Sequence, residues 1–162
     1  MVVVINLIFL LSLVVWVGGI FFFSIAAAPS IFKVLPRELA GDVVADIFPK
    51  FYFIAYICGL LILTTIFIRK YLFESTERFI NLSLILVIVM LGLSVFAGEI
   101  LRPQVSEIKK EIRTVESGSE EYMKLDSRFK VIHFKSVICN IVVFIFGIAI
   151  IFINAYNYRV YL

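Results

Sequence analysis

The chain has 162 residues, 62% of them hydrophobic and 17% charged, with a net charge of +3 and a mean hydropathy of +1.08. A soluble domain is about half apolar and about a quarter charged, so disordered, fibrous, disulfide-knotted and nucleic-acid-binding classes are excluded, as is an aqueous enzyme with a broad catalytic surface. Four stretches hold no Asp, Glu, Lys, Arg or His: Met1–Phe32, Phe51–Ile68, Phe79–Gly98 and Ser136–Tyr158.

A hydrocarbon core about 30 Å thick takes roughly 20 helical residues. Backbone groups in lipid must bond within their own segment, and none of the stretches alternates as a barrel strand would. The first span is expected over Val2–Ala28. Its end, Ala26-Ala27-Ala28, resembles a signal-peptide cleavage site, but no Lys or Arg precedes Lys33. The apolar run also exceeds the roughly 7–15 residues of a signal core, so a retained helix is expected. Trp16 sits mid-span beside Gly18 and Gly19, with an indole N–H that needs an acceptor. This glycine notch is a candidate seat for another helix or a small ligand, helix packing being the simpler use.

The first loop, Pro29–Pro49, is patterned. Pro36-Arg37-Glu38 reads as a helix start. Leu39, Ala40, Val43, Val44 and Ile47 then recur at helical spacing against Glu38, Asp42 and Asp46. A short amphipathic helix along the membrane surface is expected, either packed on lipid or lying as a lid over a cavity. The second and third spans follow at Phe48–Ile68 and Phe79–Leu101.

The third loop, Arg102–Lys130, carries two apolar stripes, Val105/Ile108/Ile112/Val115 and Tyr122/Leu125/Phe129/Ile132, separated by Ser117-Gly118-Ser119. Glu107 with Lys110 and Glu120 with Lys124 support the two arms at helical spacing. The third and fourth spans should therefore continue as a helical hairpin reaching roughly 20 Å from the membrane, with a bend at Pro103. The fourth span is expected over Val131–Ile153. The predicted fold is an all-α polytopic membrane protein. It is one four-helix transmembrane domain over residues 1–162, with an interfacial helix in loop 1 and a hairpin between helices 3 and 4.

Eleven Lys and Arg residues fall in the first and third loops and on their flanks, against Arg69, Lys70, Arg78 and Arg159 on the other side. By the positive-inside rule both termini lie outside and the two basic loops face the cytoplasm of a bacterial-type plasma membrane. Tyr71, Tyr156, Tyr158 and Tyr161 would form an outer aromatic belt. The positive charge suits an anionic inner leaflet.

Ser24/Ala28, Ala55/Gly59 and Ser94/Gly98 are small-xxx-small pairs toward the basic end, where backbones can approach closely. Polar residues gather at the same end. Glu99 and Arg102 are a turn apart at the end of the third span, and His133, Ser136 and Asn140 share one face of the fourth, with Lys135 nearby. Such groups at membrane depth mark ion or substrate paths. They also arise where Arg102 and Lys135 snorkel, Glu99 pairs with Arg102, and Asn140 bonds a neighbouring helix. Cys58 and Cys139 read as apolar fillers. One His and two Cys offer too few ligands for a zinc or haem site, so no cofactor is expected.

Trp16-Val17-Gly18-Gly19, the run Phe21–Pro29 with Phe32, Pro36–Gly41 and Phe48-Pro49-Lys50-Phe51-Tyr52 resemble the first half of the transmembrane-protein-205-like family. Arg102-Pro103 and the set Phe129, His133, Ser136 and Asn140 resemble its second half. More distantly the layout is similar to four-helix copper-resistance membrane proteins, whose metal-handling His and Met residues are missing here. The resemblance implies a four-helix membrane fold and no reaction. Function is expected to be that of a non-enzymatic bundle, a scaffold or accessory subunit in the lipid bilayer, as a homo-oligomer or with a membrane-protein partner. The alternative is a small transporter or channel subunit using Glu99, His133, Ser136 and Asn140. A membrane enzyme ranks last, since no nucleophile–base pair, phosphate loop or paired carboxylate is present.

Overall fold

In hydrocarbon every backbone N–H and C=O must find its partner inside its own segment, and the uncharged runs accordingly fold as helices. A computed structural model of the protein describes residues 1–72 and 79–160, with side chains described over 1–71 and 79–156. Arg78, Arg159, Tyr158 and Tyr161 therefore lie outside the described side chains. Four helices are long and apolar enough to cross a membrane: α1 (Val2–Val34), α2 (Arg37–Tyr71), α3 (Ile80–Ile112) and α4 (Glu120–Tyr156, continuing to Val160). No strand occurs among the described residues. The protein is thus an all-α integral membrane protein.

Helix α1 packs on α2 and α4, and α3 packs on the same two, so helices adjacent in sequence are neighbours around the bundle. Leu13, Trp16, Ile62, Ile66, Val87, Met90, Val143 and Ile150 fill its middle. Most other large apolar side chains point outward, as a lipid solvent allows.

The expected first loop is mostly helix. Helix α1 runs on to Val34, and the chain reverses over Leu35 and Pro36 alone. Leu35 is extended (φ −105°, ψ 148°), as the residue before a proline prefers. The amphipathic segment is helical as predicted, but it forms the first turns of α2 instead of a separate helix. Pro49 lies inside α2, where it removes the donor that would serve Ala45.

The other two helical prolines are met by a common device. Phe23–Ala27 and Phe96–Leu101 are π-helical turns, and in each the residue immediately before the proline bonds five residues back. Ala28 N–H donates to the Phe23 carbonyl before Pro29, and Arg102 N–H donates to the Ala97 carbonyl before Pro103. The wider turn moves a carbonyl away from the pyrrolidine ring, which would otherwise clash with it. Helix α3 therefore passes Pro103 and continues to Ile112.

The hairpin forms as its stripes require. Ile108 and Leu125 are buried, and Val105, Ile112, Val115, Tyr122, Phe129 and Ile132 are half-buried. Gly118 takes φ +89° in the turn, a left-handed conformation open to glycine. Ser119 Oγ then accepts from Tyr122 N–H at 3.1 Å, capping α4. The expected Glu107–Lys110 and Glu120–Lys124 pairs are not among the ion pairs of the described residues. Lys130 instead reaches Asp126 at 2.6 Å.

Candidate functional site

The polar site at the basic end is organised by α2. Phe48, Tyr52 and Tyr56 recur every four residues and stack along one face, with ring centroids 5.9 and 6.5 Å apart. Tyr52 is 3% exposed although it carries a hydroxyl. Its neighbour on α3 is Gly98, where a Cβ would come within 2.9 Å of the Tyr52 ring and would collide with the Tyr56 hydroxyl. Gly98 thus makes room for two tyrosine rings, which is a more specific task than close approach of backbones.

The two hydroxyls tie three helices together. Tyr56 donates to Glu99 Oε1 of α3 at 3.0 Å, with the Ser94 carbonyl 3.4 Å away. Asn140 Nδ2 of α4 donates to Tyr52 Oη at a long 3.5 Å, and Ser136 flanks the same oxygen. Arg102 turns back to its own helix, its Nε donating to the Gly98 carbonyl at 3.0 Å. Five residues were expected to gather here. Ser136 and Asn140 converge on Tyr52, and Glu99 joins Tyr56 instead of Arg102. His133 is exposed and stacked on Phe129 at 5.8 Å. The expected cluster omits its two central members, Tyr52 and Tyr56. Their signal was the four-residue aromatic spacing from Phe48 in a span whose remaining residues have no hydroxyl until Thr64.

The glycine notch is occupied differently from its prediction. Trp16 is 1% exposed and lies over Gly59 of α2, where a Cβ would meet the indole at 3.1 Å. Gly18 has open space beside it, and Gly19 faces the Phe51 ring at 3.5 Å. Gly147 of α4 is pressed against Val17. The indole N–H finds no acceptor among the described residues. Of the three small pairs, Ala55/Gly59 and Ser94/Gly98 are at helix contacts, whereas Ser24 is exposed. Cys58 and Cys139 are buried free thiols in separate apolar clusters.

A second polar group lies at the opposite end, unforeseen because Arg69 reads as a loop charge. Arg69 is only 9% exposed, and its guanidinium stands 5.3 Å over the Phe9 ring. With Ser83 and Asn154, both buried, it lines a cavity of about 10 Å³ to which all four helices contribute. That is room for about one water molecule.

Beyond the membrane-spanning part, the first turns of α2 are tied to the α3 arm. Asp42 Oδ1 accepts from Lys109 Nζ and Arg113 Nη2, both at 2.6 Å, and Arg113 Nε lies 3.2 Å from Glu38. Gly41 sits beneath Lys109, whose Nζ is 2.8 Å from where a Cβ would be. The Lys109 and Arg113 bonds hold the Asp42 carboxyl below its ordinary value of 3.8. A carboxylate with a depressed folded value contributes fully above its unfolded pKa and loses that contribution as pH falls through the lower one. The two segments should therefore separate only in acid, below about pH 4. Spin labels on the first turns of α2 and on the α3 arm would read this as a lengthened distance, absent in Asp42→Asn.

With this geometry in hand, residues 11–114 match the family described as a domain of unknown function, DUF4149. The chain belongs to the DUF4149 family. No curated protein and no solved structure matches it. The comparisons lend no support to the resemblance to the transmembrane-protein-205-like or copper-resistance proteins. The DUF4149 region takes in Trp16, Tyr52, Tyr56, Glu99, Arg102 and the Asp42–Lys109–Arg113 tie. Ser136 and Asn140, on α4, fall beyond it.

Proposed function

We propose that this DUF4149 protein is a non-enzymatic membrane component, a scaffold or accessory subunit that presents its hairpin to a membrane-protein partner or a second copy. The observation that carries this reading is how the polar groups at membrane depth are used. Tyr56 with Glu99, Tyr52 with Asn140, and Arg102 with the Gly98 carbonyl bond to one another. They act as ties between and along helices, each worth about 0.6 kcal/mol on average in a membrane. The charge bias supports a cytoplasmic hairpin and outside termini in a bacterial-type plasma membrane.

The test is flux through liposomes holding the purified protein. No proton or cation movement is expected, and Glu99→Gln and Asn140→Ala should lower thermal stability slightly. Flux by the wild type that either substitution abolishes would replace this reading with a small transporter or channel subunit. A tightly bound cofactor after purification would favour a membrane enzyme.

A further inference from the structure

Of the eleven cations at the basic end, four are in ion pairs among the described residues. Lys50 pairs with Asp46, Lys109 and Arg113 with Asp42, and Lys130 with Asp126. Arg128 and Lys135 of α4 make no ion pair among the described residues, and both are exposed. They stand seven residues apart, with Val131 between them, on one face of the helix. Lys124 continues the stripe away from the membrane, one turn from Glu120. Beside Arg128 an open groove of about 260 Å³ is lined by Ser127, Arg128, Val131 and Ile132. On the membrane side, the exposed apolar surface of Val131, Phe134 and Ile138 carries on from it.

We propose that this groove binds one anionic phospholipid of the surrounding bilayer, its phosphate held by Arg128, Lys135 and the Ser127 hydroxyl and an acyl chain laid along Val131, Phe134 and Ile138. Depth supports the assignment. The uncharged run of α4 begins at Ser136, and a headgroup layer adds only about 5–8 Å to each side of the hydrocarbon. Arg128 and Lys135 are separated by about 10 Å along the helix, so they bracket that layer. Side chains tilt toward a helix N-terminus, which lifts the Lys135 ammonium out of the hydrocarbon toward Arg128. The groove is cationic at the headgroup level and apolar below it. A soluble anion would leave its apolar half unused, and a zwitterionic lipid would bring a second cation to a cationic wall.

The experiment uses the full chain purified in a neutral detergent. Bound lipid is counted by native mass spectrometry and thermal unfolding is followed in parallel, with phosphatidylglycerol, phosphatidylcholine or inorganic phosphate added. Phosphatidylglycerol should be retained and should raise the unfolding temperature, whereas phosphatidylcholine and phosphate should not. Each cation removed should weaken retention about fivefold, as expected for a basic residue at an anionic surface. Arg128→Ala/Lys135→Ala should thus lose the lipid, while Arg128→Lys/Lys135→Arg keeps it. Lys33→Ala/Arg37→Ala, which removes two cations elsewhere at the same end, should also keep it. Equal retention of both lipids by the wild type, undiminished retention in the double alanine variant, or equal stabilisation by inorganic phosphate would each overturn the assignment.

Discussion

Gly98→Val is expected to be among the most damaging single substitutions in the protein, costing about 2–3 kcal/mol. The new side chain would stand within 2.9 Å of the Tyr52 ring and against the Tyr56 hydroxyl. Neither ring has an easy retreat. Tyr52 is buried and stacked between Phe48 and Tyr56, and Tyr56 is committed to Glu99. Moving them breaks the ties to α3 and α4 together, so the loss exceeds a simple steric cost. Gly92→Val on the same helix is the matched control, because nothing lies within 4 Å of its Cβ position. Thermal unfolding in detergent micelles should show a large fall for the first and little change for the second. Equal effects at the two positions would mean that the tyrosine platform does not hold α3 in place.

Trp16→Ala should be the other severe change, and Trp16→Phe a mild one. A buried Trp cut to Ala costs about 3–5 kcal/mol in a water-soluble core. Part of that figure is transfer of apolar surface from water. Lipid is itself apolar, so that part shrinks here, while lost dispersion contacts and the cavity remain. About 3 kcal/mol is the expectation, at the lower end of the soluble range. Phenylalanine leaves a smaller void and also removes the indole N–H, which has no acceptor among the described residues. An unmet buried donor costs about 1–3 kcal/mol, so its removal offsets much of the lost volume. If unfolding into a strong detergent shows phenylalanine nearly as damaging as alanine, the indole N–H has a partner in the membrane.

The spans were legible because a lipid solvent writes itself into composition. A run without charge long enough to cross is hard to mistake, and the four runs became α1 to α4. Proline misled at the ends of those runs. Pro29 and Pro49 read as loop boundaries, yet both sit inside helices, Pro29 after a π-helical turn and Pro49 within regular α-helix. The same winding limits what spacing can say about the polar site. A π-helical turn between Phe96 and Leu101 shifts the phase of everything after it, so a 3.6-residue count carried from Ser94 to Arg102 points the arginine the wrong way. Position along the spans put the polar residues at one end of the bundle, but position says nothing about rotation, and Glu99 meets Tyr56 while Asn140 meets Tyr52. Tyr52 and Tyr56 were passed over because tyrosine counts among the apolar residues. Their hydroxyls become visible as ties only when the facing glycine is seen.

Helices α1, α2 and α3 each contain a π-helical turn, at Phe23–Ala27, Ile68–Leu72 and Phe96–Leu101. Helix α4 has none and no proline, running from Glu120 to Val160 as one helix of 41 residues. That is a rod about 60 Å long. Its neighbours can take up a torque at their wide turns, whereas α4 has no joint at which to yield. One uninterrupted helix therefore joins the hairpin tip to Asn154 and the small chamber beside Arg69 on the far face.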